Sequence, residues 1–170
     1  MGGYLDPPAA GLPAFRPEHD CDWNVQNDTR AAEIVFAAAG ELVLAPLPVC
    51  EAAHLRERDL PRLAASSPLG ALIARQAAVW AQEQEQAARG RAHAALPDDL
   101  VNFQLDPLTA ALAAGFAHVE LEDVQLGFEM AGATLLMDRV EGGRPATALR
   151  SFDAAAFEEY FVDAAGRATT

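Results

Sequence analysis

The chain has 170 residues, 51% of them hydrophobic, enough for one domain with a substantial core. Acidic residues outnumber basic ones 25 to 12, a net charge of −13, and all twelve basic residues are arginine, which excludes Schiff-base and P-loop lysine chemistry. An acidic surface repels phosphate backbones and anionic bilayers, so neither nucleic acid nor a membrane is expected as a partner.

From Gly3 to Asp22 the chain holds prolines at 7, 8, 13 and 17 and a glycine at 11, and reads as loop. The loop closes on Asp22-Trp23-Asn24. A helix then begins near Asn27 or Asp28, either of which can cap it, with Ala31, Ile34, Val35 and Ala38 as its apolar stripe and Gly40 as a left-handed stop. Leu42-Val43-Leu44-Ala45-Pro46 is a continuous apolar run closed by proline, the pattern of a strand buried on both faces of a parallel sheet. Residues 49–91 read as mostly helical, with Ser67 as N-cap, Pro68 at the first helical position, and Ile73, Val79 and Trp80 continuing the pattern. Gln82-Glu83-Gln84-Glu85-Gln86 reads as a solvated helix face. A further helix is predicted from Pro107 to Ala114, ended by Gly115. The period then changes: Val119–Glu122 and Leu135–Val140 suggest an antiparallel appendage, followed by a helix capped by Ser151 or Asp153 and bearing Phe157, Tyr160 and Phe161.

No secretory signal is evident, and no run reaches the ~18–20 apolar residues of a membrane span. The longest candidate, Leu69 to Ala81, is broken by Arg75 and Gln76. Cys21 and Cys50 lack CxxC spacing and read as two idle thiols in a reducing compartment, so a cytoplasmic protein is expected.

Asp20-x-Asp22-x-Asn24 begins like an EF-hand loop, but Val25 stands where the sharp turn needs glycine and Ala31 where a bidentate glutamate is needed. Asp22 and Asn24 have a better match in a sugar diol: the carboxylate accepts, the carboxamide donates or accepts, and the Trp23 indole offers a flat wall. The plainer account is an acidic loop with one half-buried tryptophan. At Asn102-Phe103-Gln104-Leu105-Asp106-Pro107, Asp106 can cap the following helix or supply a carboxylate to a hard cation such as Ca²⁺. His19, His54, His93 and His118 have no metal-binding spacing and read as surface or cap residues. Ser66-Ser67 has no G-x-S-x-G context, and no G-x-G-x-x-G follows a strand.

In order, these segments resemble the C-terminal half of an inosine/uridine-type nucleoside hydrolase. In that family a strand ends in Met-Gly-Gly, a loop closes with an acidic residue, an aromatic and Asn, and a D-x-x-A-A-x-x-V-F helix follows. Here Met1-Gly2-Gly3, Asp22-Trp23-Asn24 and Asp28 to Phe36 match, and Asp106-Pro107 matches a later Asp-Pro pair. The resemblance covers nearly the whole chain at about half of the family's length. It implies an α/β fold, the C-terminal part of a Rossmann-like parallel sheet with many helices and a small antiparallel β appendage. It also implies a single partial domain, with residues 1–118 α/β and helical and residues 119–170 β-rich with a terminal helix.

By the same resemblance, Met1, Asp22 and Asn24 line a ribose pocket, Trp23 forms part of its wall, Asp106 binds the catalytic Ca²⁺, and a ribonucleoside is the substrate. The family's D-x-D-x-x-x-D-D segment, which supplies most calcium ligands and the general base, does not occur, and Asp98-Asp99 lacks the spacing to replace it. No catalytic residue is therefore assigned within the chain; the base belongs to the missing N-terminal half of a truncated protein. Where some members carry a leaving-group histidine, Gln104 and Leu105 stand here, and Asp22 replaces a frequent Glu. The chain alone is expected to hydrolyse no nucleoside at a useful rate. Its strand around Val43 is expected to lack partners and leave an apolar surface that drives homo-oligomerisation, poor solubility or pairing with a complementing N-terminal half. The alternative is a degenerate relative that binds a sugar or a partner without catalysis.

Overall fold

The computed structural model describes residues 1–3, 5, 23–38 and 40–167. They form a mixed α/β protein with a sheet of both parallel and antiparallel strands. The chain divides into two compact units, each assembled from segments far apart in sequence. One holds the described residues up to Cys50 with Val119–Phe152; the other holds Glu51–His118 with the segment from Asp153.

The first unit contains helices α1 (Trp23–Asn27) and α2 (Thr29–Ala38), strand β1 (Val43–Leu44) and helix α3 (Leu47–Cys50). Strands β4 (Val119–Ala131), β5 (Thr134–Arg139) and β6 (Arg144–Phe152) complete it, the second unit supplying β2 and β3. Its sheet runs β1-β6-β4-β5. β4 pairs antiparallel with both β5 and β6, whereas β1 joins β6 in parallel, Val43 opposite Thr147 and Leu44 opposite Ala148. The antiparallel strands thus share one sheet with β1. The strand around Val43 is not left without a partner, and it is short: β1 has two residues and Val43 is 45% exposed, so the expectation of burial on both faces fails. Successive side chains point to opposite faces, and only the face bearing Leu44 is covered, by the core that holds Phe36.

The opening tripeptide completes this edge. Thr147 donates its amide to the Leu42 carbonyl, so Leu42 and Leu44 point their main-chain groups at β6, while Val43 and Ala45 point theirs the other way. On that far side Gly2 donates to the Ala45 carbonyl (3.3 Å) and Leu47 donates to the Gly3 carbonyl (3.0 Å). The two contacts advance in the same direction, so Met1–Gly3 runs parallel to the end of β1. Glycine is required at the second of these positions. Gly2 lies among Val25, Phe36 and Leu44, and Gly3 has φ +67°, where a Cβ would also collide with Met137.

Helices α1 and α2 cover one face of the sheet. Phe36 stacks on Phe128 with ring centroids 5.0 Å apart, and Val25, Leu44, Leu126, Leu135 and Met137 fill the core. Asp28 caps α2 by accepting from the Ala31 amide (2.9 Å). The expected loop around Trp23 and Asn24 is instead helix α1, and its Gln26 binds both main-chain groups of Leu135, donating at 2.8 Å and accepting at 2.9 Å. A carboxamide carries both functions, so Gln26 satisfies the free edge of β5 as another strand would. The expected stop at Gly40 adjoins Ala39, which lies outside the described residues.

The second unit holds β2 (His54–Arg56), a 3-10 turn (Glu57–Asp59), α4 (Leu60–Ser66), α5 (Pro68–Glu83), α6 (Gln86–Ala92), β3 (Leu100–Phe103), α7 (Leu105–Ala113) and α8 (Ala154–Arg167). The region expected to be mostly helical is broken by β2, which pairs antiparallel with β3. Leu55, Leu63, Ala74, Ala77, Val101 and Ala165 form the core, and Phe116 packs against Phe157 and Tyr160. Asp153 caps α8 through the Ala156 amide (3.0 Å). Arg58 of the 3-10 turn and Arg62 of α4 form ion pairs with Glu158 and Glu159 of α8, and Arg56 binds Asp99 at 2.6 Å. The glutamine-glutamate run is not one solvated face. Helix α5 ends at Glu83, Glu85 takes φ +50°, and the turn buries Gln86.

Ser67 caps α5 as its sequence predicts, accepting from the Gly70 amide (3.0 Å) with Pro68 at the first position. Its hydroxyl also donates to the Ala165 carbonyl of α8 (2.7 Å), which the sequence did not reveal. Ser67→Ala is expected to cost about 1–2 kcal/mol, the range of a lost N-cap with one further hydrogen bond. Urea unfolding monitored by circular dichroism checks this; a loss under about 0.3 kcal/mol would contradict it.

Candidate functional site

The residues singled out from the sequence fall in both units. Met1, Trp23 and Asn24 belong to the first and Asp106 to the second, while Asp22 lies outside the described residues, as do His19, Asp20 and Cys21. Met1 is half-buried beside the β1 edge. Trp23 opens α1 with 71% of its surface exposed, and Asn24 is exposed in the same turn. Cys50 is buried, and its Sγ lies 3.6 Å from the Ala45 carbonyl.

Asp106 is not the cap of α7. That position is Gln104, and Asp106 lies inside the first helical turn, one residue before Pro107. Pro107 has no amide to offer, and the first turn needs none from it, so the Asp-Pro pair fits within the helix start. Gln104 is 5% exposed and anchors the junction: its amide donates to the Ala53 carbonyl (2.7 Å), and its carbonyl accepts from Leu108 (3.0 Å). The exposed Asp106 carboxylate stands where negative charge complements the helix dipole.

Asp106 lines a groove of about 690 Å³ within the second unit. Its opposite wall is the face of α5 that bears Leu72, Gln76 and Trp80, and its floor is the end of β3, with Asn102 and Phe103. Trp80 is 46% exposed and Leu72 45%, so this helix presents apolar surface that its own unit does not cover. The Asn102 side chain accepts the Phe103 amide (2.9 Å), which holds the strand end beside the helix start. Only the Asn102–Pro107 side of this groove was singled out from the sequence. The α5 wall could have been noticed, because Leu69, Leu72, Ile73, Val79 and Trp80 are more apolar residues than one buried stripe accounts for.

Asp106 is the only carboxylate among the described residues lining the groove. No group of three or more His, Cys, Asp or Glu close enough to hold a metal ion occurs among the described residues. Ca²⁺ takes 6–8 oxygen ligands, so these residues do not make a calcium site unaided. No helix among the described residues is long and apolar enough to cross a membrane. Compared with protein-family models and with curated proteins, the chain matches none.

A second polar locus in the same unit departs from expectation. His54 is neither a surface nor a cap residue; it sits in β2, half-buried, with its ring edge-on to Phe103 at 5.5 Å. Its Nε2 is buried without a hydrogen-bond partner among the described residues. It borders a cavity of about 10 Å³, barely one water in size, also lined by Asp59, Gln104 and Glu158. Burial lowers its pKa below the ordinary 6.5, opposed by a hydrogen bond that the ring donates to the Glu51 main-chain carbonyl and aided by the Arg56 charge. His93 and His118 are a helix C-cap and an exposed residue.

Because the folded state holds His54 neutral, the unfolded chain binds the extra proton first as pH falls. The stability this residue contributes is complete above about pH 6.5 and is lost as the pH falls from there through its lowered folded-state pKa. Urea titrations at pH 7.0 and 5.5 are expected to show a larger loss for the parent chain than for His54→Gln. Equal losses in the two proteins would refute the assignment.

Proposed function

We propose that the chain is a nucleoside-hydrolase-type protein, related to enzymes that hydrolyse the N-glycosidic bond of ribonucleosides, and that alone it turns over no ribonucleoside at a useful rate. The observation that carries this reading is the arrangement around β1. Met1-Gly2-Gly3 runs parallel to the end of β1, and α2, the helix between them in sequence, packs Phe36 onto the same edge through Gly2 and Leu44. Two adjacent parallel segments joined through a helix form the unit that the Met-Gly-Gly, D-x-x-A-A-x-x-V-F order requires. Gly3 has a physical role there, since its left-handed backbone and its approach to Met137 leave no room for a side chain.

On this reading the first unit presents sugar-recognition groups at the start of α1, and the second presents Asp106 in its groove. Trp23 offers an exposed apolar ring face and Asn24 an exposed carboxamide, the pairing that suits a ribose edge. The acidic cluster needed for metal and base is not among these 170 residues and has to be contributed by another polypeptide segment. A non-catalytic sugar binder is the second reading, favoured by Gln104 and Leu105 standing where some relatives place a leaving-group histidine.

The test is chromatographic detection of free base from a panel of ribonucleosides with calcium present. The purified chain is expected to release none; release by it alone would overturn the claim of inactivity. Co-expression with a nucleoside hydrolase N-terminal half carrying D-x-D-x-x-x-D-D is expected to give calcium-dependent release that Asp106→Asn sharply reduces. A complex that forms, binds nucleoside and releases no base would overturn the catalytic reading in favour of the binder.

A further inference from the structure

We propose that the groove between α5 and the start of α7 is a binding site for a flat aromatic cation of the N-alkylpyridinium type. Three features of its lining define the ligand. The first is charge: Asp106 is the only charged side chain among the described residues lining the groove, and its carboxylate has no ion-pair or hydrogen-bond partner among them. The second is the Trp80 indole, half-exposed on the facing wall and in no ring contact with another described residue. An indole face attracts a cation most strongly of the aromatic side chains, and a flat partner covers it best. The third is shape and polarity. Leu72, Phe103 and Pro107 supply apolar surface, Gln76 and Asn102 bring amides to its border, and about 690 Å³ suits a ligand of one or two rings.

A neutral ring would use the apolar wall and leave the carboxylate unanswered. An aliphatic ammonium ion would answer the carboxylate and leave the wall uncovered. A charged heteroaromatic ring satisfies both, and the chain's net charge of −13 favours the approach of a cation over that of an anion.

Calorimetric titration of the 170-residue chain with 1-methylnicotinamide (the ring-methylated pyridinium cation), neutral nicotinamide and tetramethylammonium tests the site without requiring turnover. The aromatic cation is expected to bind at least about five-fold more tightly than either control, within the range of a cation–π contact plus one carboxylate. Asp106→Asn, an isosteric change at an exposed position, is expected to remove the preference over nicotinamide, and Trp80→Leu to weaken the cation about five-fold. Circular dichroism melts confirm that both variants fold. Equal affinity for charged and neutral rings, an unchanged Asp106→Asn protein, or no saturable binding would overturn the proposal. Failure of base release in the co-expressed complex would overturn the nucleoside-hydrolase reading and leave this binding result intact.

Discussion

The parallel pairing of β1 with β6 is the constraint on which the first unit depends. Two residues, Val43 and Leu44, are all that β1 contributes, and their partners Thr147 and Ala148 lie about a hundred positions later. That joint brings β1 into the sheet of the β4–β6 meander, on which α1 and α2 also pack through Gln26 and Phe36. So short a strand gains little from its own ladder, and its position is secured from three directions. β6 holds one edge, Met1–Gly3 takes part of the other, and Phe36 and Leu126 enclose Leu44 in the core. The second unit takes its residues from between β1 and β4 and again from after β6, so the chain leaves and re-enters the first unit around this sheet.

Side-chain amides do work here that backbone or ionic groups more often do. Gln26 finishes the exposed edge of β5, and Gln104 is buried where α7 begins. In a chain with few cations, neutral groups that both donate and accept satisfy main-chain polarity without adding charge. The arginines, by contrast, concentrate on surface pairs such as Arg58–Glu158 and Arg62–Glu159, where the contribution to stability is small and salt-dependent. The second unit relies on its apolar centre around Leu63 and Phe157, both essentially inaccessible to solvent.

The polar loci differ in kind. Around Trp23 the groups are exposed and face solvent from a short helix, which suits a ligand with many hydroxyls and little apolar surface. Around Asp106 the walls are apolar, and one carboxylate sets the electrostatics. His54 is a third kind, a titratable ring enclosed beside a cavity of one-water size, and its chemistry bears on folding rather than on a ligand. Burial separates the three more sharply than residue type does.

Local signals were legible in the amino-acid order because their physics is local. Ser67-Pro68 at α5, Asp28 at α2, Asp153 at α8 and the left-handed Gly115 after α7 each follow from how a few adjacent residues satisfy helix ends. The change of period after residue 118 likewise announced the antiparallel strands. What tertiary structure decided were the properties set by partners distant in the chain. Leu42–Pro46 reads as a buried strand by composition, yet its place at an edge beside β6 leaves Val43 half-exposed. Asp22-Trp23-Asn24 reads as loop, but Trp23 and Asn24 lie in a helix whose Gln26 finds its hydrogen bonds 109 residues away. Trp80 reads as one more apolar position, and only the packing of α5 beside α7 turns it into a groove wall. Capping and periodicity are short-range and written in neighbouring residues; burial, edge position and the sharing of a groove arise when remote segments meet.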